Sequence, residues 1–276
     1  ASLPGVPYAT VLTDLADYPP HFWIEPDLPI HLVCGSARAV TQARSAGHAP
    51  THIHASSGML IRTAFYDTPE LDRAAERQRL GLDPQRPTGL VLFGGQGSRV
   101  MLDIARRLPD TQLILACGHN AALAQALKAL PARAPRLVLG FTPDVARYMQ
   151  LADFFIGKPG PGSVSEAVQM RLPVIVVRNR YTLPQERYNT QWVREQGVGI
   201  VCTSYARVDE AVAQMLARLS DLRAATGQVR NRAIFEVPQI LRGILQDSLS
   251  AGSPAPSGRY RPRPSPQPGV RSPARP

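Results

Sequence analysis

Residues Gly157-Lys158-Pro159-Gly160-Pro161-Gly162-Ser163-Val164-Ser165-Glu166 hold the groups best suited to chemistry on an anion. They follow the apolar run Phe154-Phe155-Ile156 and precede Ala167-Val168-Gln169-Met170, which predicts a buried strand, a Gly/Pro turn and a helix opening at about Ser163. Free backbone N–H groups and the positive end of the helix dipole would project from that turn, an arrangement that binds phosphate without a metal. Lys158 could add a cation there, or remain a solvated lysine. Glu166, about one turn into the helix, is placed to accept hydrogen bonds from two neighbouring ribose hydroxyls. Together these groups suggest a nucleotide diphosphate, although Gly-Pro-Gly turns are also common punctuation between strand and helix.

A second segment weighs in favour of a site. Leu183-Pro184-Gln185-Glu186-Arg187-Tyr188-Asn189 follows the next apolar run, Pro173-Val174-Ile175-Val176-Val177. Ligands of an open parallel sheet lie beyond the carboxyl ends of its strands, so both segments belong to one rim. Gln185, Glu186 and Asn189 are suited to sugar hydroxyls or phosphates, and Gln185 and Glu186 could equally be an ordinary polar helix start. Two further Gly-bearing turns open on that rim: Gly94-Gly95-Gln96-Gly97 after Leu92-Phe93, and Gly118 after the strand ending near Ala116. Leu139-Gly140-Phe141-Thr142 is a third strand-end loop, whose Phe141 either flanks a base or sits in the core.

Taken with Gly199-Ile200-Val201 and Val11-Leu12-Thr13-Asp14-Leu15, these segments resemble the donor-binding half of glycosyltransferase family 28. The similarity is greatest to monogalactosyldiacylglycerol synthases and diacylglycerol glucosyltransferases, and it spans roughly residues 8 to 205. The resemblance implies a GT-B arrangement of two Rossmann-like domains with the active site in the cleft between them. It implies a hexosyltransferase that inverts the anomeric centre as it moves a sugar from a UDP-sugar to a lipid acceptor such as diacylglycerol. No further cofactor or metal is implied. Asp14, just past a strand, and His21, of suitable intrinsic pKa, are the candidate general bases. Pro19-Pro20-His21-Phe22-Trp23 could also form an apolar lip meeting the bilayer, with Trp23 as its anchor. Two other outcomes stay open: a non-catalytic or truncated nucleotide-sugar-binding protein, and a UDP-N-acetylglucosamine 2-epimerase-like enzyme.

The elements that must position these residues follow from the hydrophobic pattern. From Thr88 onward, short apolar runs alternate with helical stretches of about ten residues, which predicts right-handed βαβ units and a doubly wound parallel sheet. Expected strands are 89–93, 111–116, 136–139, 153–156, 173–177 and 199–202. Before them, strands are expected at 7–13, 29–34 and 51–54, and a helix from Pro69 to about Leu80. The resulting fold class is α/β: a complete C-terminal Rossmann-like domain over 86–247, a partial N-terminal α/β domain over 1–65, and a linker helix over 66–85. The first part resembles only the late portion of the family's acceptor domain, so a partner chain supplying the missing N-terminal half is an expectation, as is a truncated product beginning at Ala1. Gly94-Gly95-Gln96-Gly97 departs from the dinucleotide fingerprint, which speaks against a nicotinamide cofactor.

Composition narrows the classes. With 44% hydrophobic residues and 6% aromatic, aliphatic side chains must build the core. The formal charge is +10, and half of it comes from five arginines in the Pro-rich segment 251–276, within a tail over 248–276 that is expected to be disordered. The remaining excess suits an anionic membrane surface, and no nucleic-acid motif accompanies it. No apolar run of about twenty residues and no leader pattern is present, so a cytoplasmic protein, peripheral at the inner face of the cell membrane, is expected. Cys34, Cys117 and Cys202 are scattered in apolar runs, the pattern of free buried thiols, and no zinc spacing occurs. His52 and His54 alternate on one strand face, but no third metal ligand lies near them in sequence.

Overall fold

The computed structural model describes residues 6–250; of the tail expected to be disordered, 248–250 instead close a helix that runs to Ser250, and 251–276 lie outside the described residues. Two parallel sheets organise the chain. The first contains β1 (Ala9–Val11), β2 (His31–Cys34) and β3 (Ile53–Ala55) in that order. Helix α1 (Ala37–Ser45) links β2 to β3, and Ser36 caps it by accepting from the Ala39 N–H. The strand expected at 51–54 begins two residues later, because Pro50–His52 forms a 3₁₀ turn. Helix α2 (Arg73–Arg79) likewise starts four residues after Pro69, where Asp72 accepts the N–H groups of Ala74 and Ala75 and fixes the first turn.

The second sheet has six strands: β4 (Thr88–Leu92), β5 (Gln112–Ala116), β6 (Arg136–Leu139), β7 (Phe154–Gly157), β8 (Val174–Val177) and β9 (Gly199–Cys202). Their order is β6-β5-β4-β7-β8-β9, every pair parallel. The intervening helices are α3 (Val100–Arg107), α4 (Ala121–Lys128), α5 (Val145–Leu151), α6 (Pro161–Gln169) and α7 (Arg187–Glu195), followed by α8 (Val208–Ala217), α9 (Leu219–Gln228) and α10 (Ala233–Ser250). The doubly wound α/β architecture expected from the pattern is therefore present.

Side-chain alternation divides the core into two layers. Leu90, Ile114, Phe155, Val174 and Val176 pack against Ala146 and Met149 of α5, Val164 and Val168 of α6 and Val193 of α7. Val91, Leu113, Leu115, Phe154, Ile156 and Ile175 face Met101 and Ile104 of α3, Leu123 and Leu127 of α4, and Val212 and Met215 of α8. Strands covered on both faces read as near-continuous apolar runs, and for that reason they are easy to find in the sequence. Each fully buried Leu, Ile or Phe contributes about 1.5–3 kcal/mol.

Two contacts tie the sheets together. Helix α10 returns to the first sheet, where Ala233 and Val237 pack on Val33. The Glu236 carboxylate accepts from the backbone N–H and hydroxyl of Ser57, and Asn231 Nδ2 donates to the Met59 carbonyl at 2.9 Å.

Candidate functional site

The strand order reverses between β4 and β7, so their following helices leave on opposite faces and a crevice opens at their carboxyl ends. Leu92 pairs with Gly157 across these strands. The Gly94–Gly97 turn and the Lys158–Gly160 turn therefore emerge side by side. Helix α6 starts at Pro161, two residues earlier than expected, with Gly160 as N-cap and no side-chain cap. Pro161 has no N–H to lose, and the N–H groups of Gly162 and Ser163 have no partner within the helix. A Cβ placed on Gly162 would meet no atom within 4 Å. The helix therefore opens onto free space at Gly162.

The turn itself is held from behind. Asn189 is fully buried, and its Nδ2 donates to the Pro159 carbonyl at 2.8 Å. Expected near sugar hydroxyls or phosphates, it braces the Gly/Pro turn from behind, and its Oδ1 has no partner. Tyr205, half-buried beside the turn, donates to the Gly157 carbonyl at 2.8 Å and meets the Phe93 ring edge-on. Sequence reasoning missed Tyr205, since nothing in its spacing links it to residues some fifty positions earlier.

Lys158, itself exposed, pairs with the nearly buried Glu186 at 2.9 Å. Glu186 is thus not the free acceptor that its place in the sequence suggested, while its neighbour Gln185 stays half-exposed in the 3₁₀ turn Pro184–Glu186. Glu166 points from α6 toward Arg62, 4.0 Å away. Burial raises its carboxyl above the ordinary range, and Arg62 partly opposes that.

Phe141 is 60% exposed, which removes the core alternative. It stacks on His119 with ring centroids 4.1 Å apart and planes within 16°. The register explains the pair: Ala116 aligns with Leu139, so the loops carrying His119 and Phe141 leave β5 and β6 together. His119 was absent from the sequence-derived site, although the shared strand ends were a signal that could have found it. Gly118 makes this loop possible. Its φ is +59°, and a Cβ there would lie 2.0 Å from the Gly95 carbonyl oxygen.

The first sheet brings Asp14 to the same rim. Its buried carboxylate accepts from Trp23 Nε1 at 3.0 Å. Burial raises its pKa, the Trp23 bond opposes this, and the charges of Glu186 and Lys158 both reach it. Residues 17–23 are hung from Asp17, whose carboxylate accepts the backbone N–H groups of His21 and Trp23. Gln42 of α1 secures Asp17 through a pair of bonds to its backbone. His21 is exposed in that loop, its Nδ1 donating to the Ile24 carbonyl at 3.2 Å and its Nε2 lone pair left over. Trp23 is half-buried against Asp14, so it is not the apolar anchor expected of it. Tyr18 and Phe22 are the exposed aromatics of this lip. Tyr18 shares a cavity of about 220 Å³ with Arg38, Arg178 and Arg187.

Among the described residues no helix is long and apolar enough to cross a membrane. The thiols of Cys34 and Cys117 are buried, and that of Cys202 is partly exposed.

Residues 90–238 match the model of the glycosyltransferase family 28 C-terminal domain. Among curated proteins, the chain is 30% identical over 263 residues to the chloroplastic monogalactosyldiacylglycerol synthase of Spinacia oleracea, covering 90% of this chain and 49% of that protein. To monogalactosyldiacylglycerol synthase 1 of Arabidopsis thaliana it is 30% identical over 222 residues, covering 76% and 40%. The chain thus spans about half the length of the curated relatives it matches. Among solved structures, S. aureus MnaA with UDP superposes with a TM-score of 0.63 at 16% identity, covering 92% of this chain and 73% of that one. Anabaena HepE with UDP and glucose gives 0.56 at 17% identity, covering 87% and 71%.

Proposed function

Because this chain belongs to glycosyltransferase family 28 and folds as the GT-B proteins do, we propose that it moves a hexosyl group from a UDP-sugar to the hydroxyl of a membrane lipid such as diacylglycerol, with inversion. The observation that carries this reading is the uncapped α6 N-terminus at the switch point, with an open face at Gly162 and the Asp14 carboxylate within reach of the Lys158–Glu186 pair. In this reading the pyrophosphate rests on the N–H groups of Gly162 and Ser163, where the dipole of α6 adds to the attraction. Gly94, Gly95, Gln96 and Gly97 flank it from the neighbouring turn. Uracil packs against the Phe141–His119 stack, and Glu166 accepts from the ribose hydroxyls. Gln185 faces the sugar.

The reaction then follows from charge. The acceptor oxygen attacks the anomeric carbon from the face opposite the diphosphate, and Asp14 takes its proton. The bond from the anomeric carbon to the diphosphate breaks, and its electron pair stays on the β-phosphate oxygen. Negative charge thus grows where preorganised N–H groups already point, the arrangement that stabilises such a transition state most. A carboxylate whose pKa is raised by burial is a stronger base than one in water, which favours Asp14. His21 Nε2 is the competing base.

The exposed Tyr18, beside Arg38, Arg178 and Arg187, and the exposed Phe22, Tyr181 and Leu183 fit a surface that meets anionic lipid. Among the described residues β1 pairs with β2 alone, so its other side is where strands of a partner chain would add.

The test is product analysis. The protein is incubated with UDP-galactose or UDP-glucose and diacylglycerol in anionic vesicles, and glycolipid is followed by mass spectrometry. Glycolipid formation with release of UDP is expected. Calorimetry with UDP completes it: binding without turnover would leave a nucleotide-sugar-binding protein, and no binding would end the proposal.

A further inference from the structure

Three imidazoles meet on one face of the first sheet, away from the rim that carries the candidate site. His31 opens β2, His54 is the middle residue of β3, and His52 closes the 3₁₀ turn just before β3. The parallel register sets Leu32 beside Ile53 and Val33 beside His54. Alternation then puts His31 and Val33 on the same face as His52 and His54. His31 Nδ1 and His54 Nε2 are 3.0 Å apart. The His31 and His52 rings meet edge-on with centroids 4.5 Å apart.

Helix α10 covers this face, since Val33 packs against Ala233 and Val237. Farther along α10, Ile240, Ile244 and Asp247 recur at intervals of four and three and so share one side of the helix. The Asp247 charge acts on both His31 and His54.

We propose that His31, His52 and His54, with Asp247 of α10, form a binding site for a divalent transition metal, with Zn²⁺ the ion of choice. Three imidazoles and a carboxylate make a tetrahedral donor set of the kind zinc takes. In the metal-free chain the His31–His54 contact is an N–H···N hydrogen bond, so one of its two nitrogens carries a proton. A metal takes the place of that proton, which moves to the other nitrogen of the same ring, so both rings bind the metal as neutral imidazoles. Zn–N bonds of about 2.0–2.1 Å at tetrahedral angles need the two nitrogens about 3.3 Å apart, a few tenths of an ångström wider than the hydrogen bond. Among the described residues no three donors already surround one point. His52, edge-on to His31, must therefore rotate to bring a nitrogen in. Because the site joins two strands of the first sheet to α10, metal would lock the end of α10 onto that sheet.

The experiment uses tag-free protein stripped with EDTA and titrated with ZnCl₂ at pH 7.5 by calorimetry, with thermal melts in parallel. We expect one Zn²⁺ per chain at micromolar strength and a rise in Tm. His54→Gln should weaken binding at least tenfold and remove the Tm rise, and exposed Asp247→Asn should weaken it severalfold without loss of fold. If His54→Gln does not fold, Asp247→Asn and His52→Gln decide. Absence of saturable uptake, or uptake unchanged in the variants that fold, overturns the proposal. UDP affinity should be the same in these variants as in the wild type.

Discussion

Asp14, Glu166 and Phe141 divide the proposed work among base, ribose acceptor and uracil platform, so each can be tested with a different readout. Asp14→Asn keeps the Trp23 hydrogen bond but cannot take a proton. It should lower kcat about 10²–10⁴-fold while UDP affinity stays within about twofold. His21→Ala should cost far less; the opposite ranking in steady-state assays would make His21 the base. Glu166→Ala should weaken UDP binding by about 1–3 kcal/mol, the usual loss for charged hydrogen bonds, as read by calorimetry. Phe141→Ala removes the phenyl half of the His119 stack and should weaken UDP by about 0.5–1.5 kcal/mol, with the larger part of the loss absent for pyrophosphate alone. Glu166 and Phe141 were candidates in the sequence because one lies about a turn into the helix after β7 and the other in the loop at the end of β6. Asn189 and Glu186 were picked out with the wrong partners, because a sequence does not reveal which polar head is already taken by a neighbour.

At the scale of elements, the site depends on turns packed too closely for a side chain and on a buried ionic knot under the opposite end of the sheet. Gly118→Ala would put a methyl 2.0 Å from the Gly95 carbonyl oxygen at a positive φ. Overpacking of this kind costs about 1–3 kcal/mol, and the shifted turn should also weaken UDP binding. Asp153, nearly buried, takes charged hydrogen bonds from Arg73, Arg77 and Arg223 and a backbone N–H from Thr88. It fastens α2 and α9 to the start of β7. Burial alone would raise its pKa, but the Arg73 and Thr88 bonds and the Arg77 contact prevail and hold it at about 2. Since the folded pKa lies below the ordinary carboxylate value, the stabilisation is complete above about pH 4 and is lost as pH falls through about 2. Asp153→Asn should cost about 3–5 kcal/mol at pH 7 in urea unfolding and flatten the acid limb of the pH–stability curve. The helix starts at 69 and 163 were misplaced because caps, not hydrophobic period, set them: Asp72 delays α2, and Pro161 at the first turn advances α6.

For the whole molecule, the two sheets face one another because α10 crosses back to the first and because Ser57, Met59, Asn231 and Glu236 are bonded across the seam. The proposed donor and base come from different sheets, so the seam decides whether they meet. Glu236→Ala removes both bonds to Ser57 and leaves the donor side intact. Turnover with lipid acceptor should fall severalfold while UDP affinity is unchanged; an equal loss of UDP affinity would show that the seam serves the donor side itself.

The chain alone determined the alternation of strand and helix, the parallel sheet and the uncapped turn after Phe155, because local geometry and burial on both faces leave a periodic signal. Only the tertiary structure decided that Lys158 is paired to Glu186, that His119 lies under Phe141, and that His31 joins His52 and His54. Those contacts are set by strand register and by the return of α10, and neither leaves a trace in the spacing of the residues it brings together.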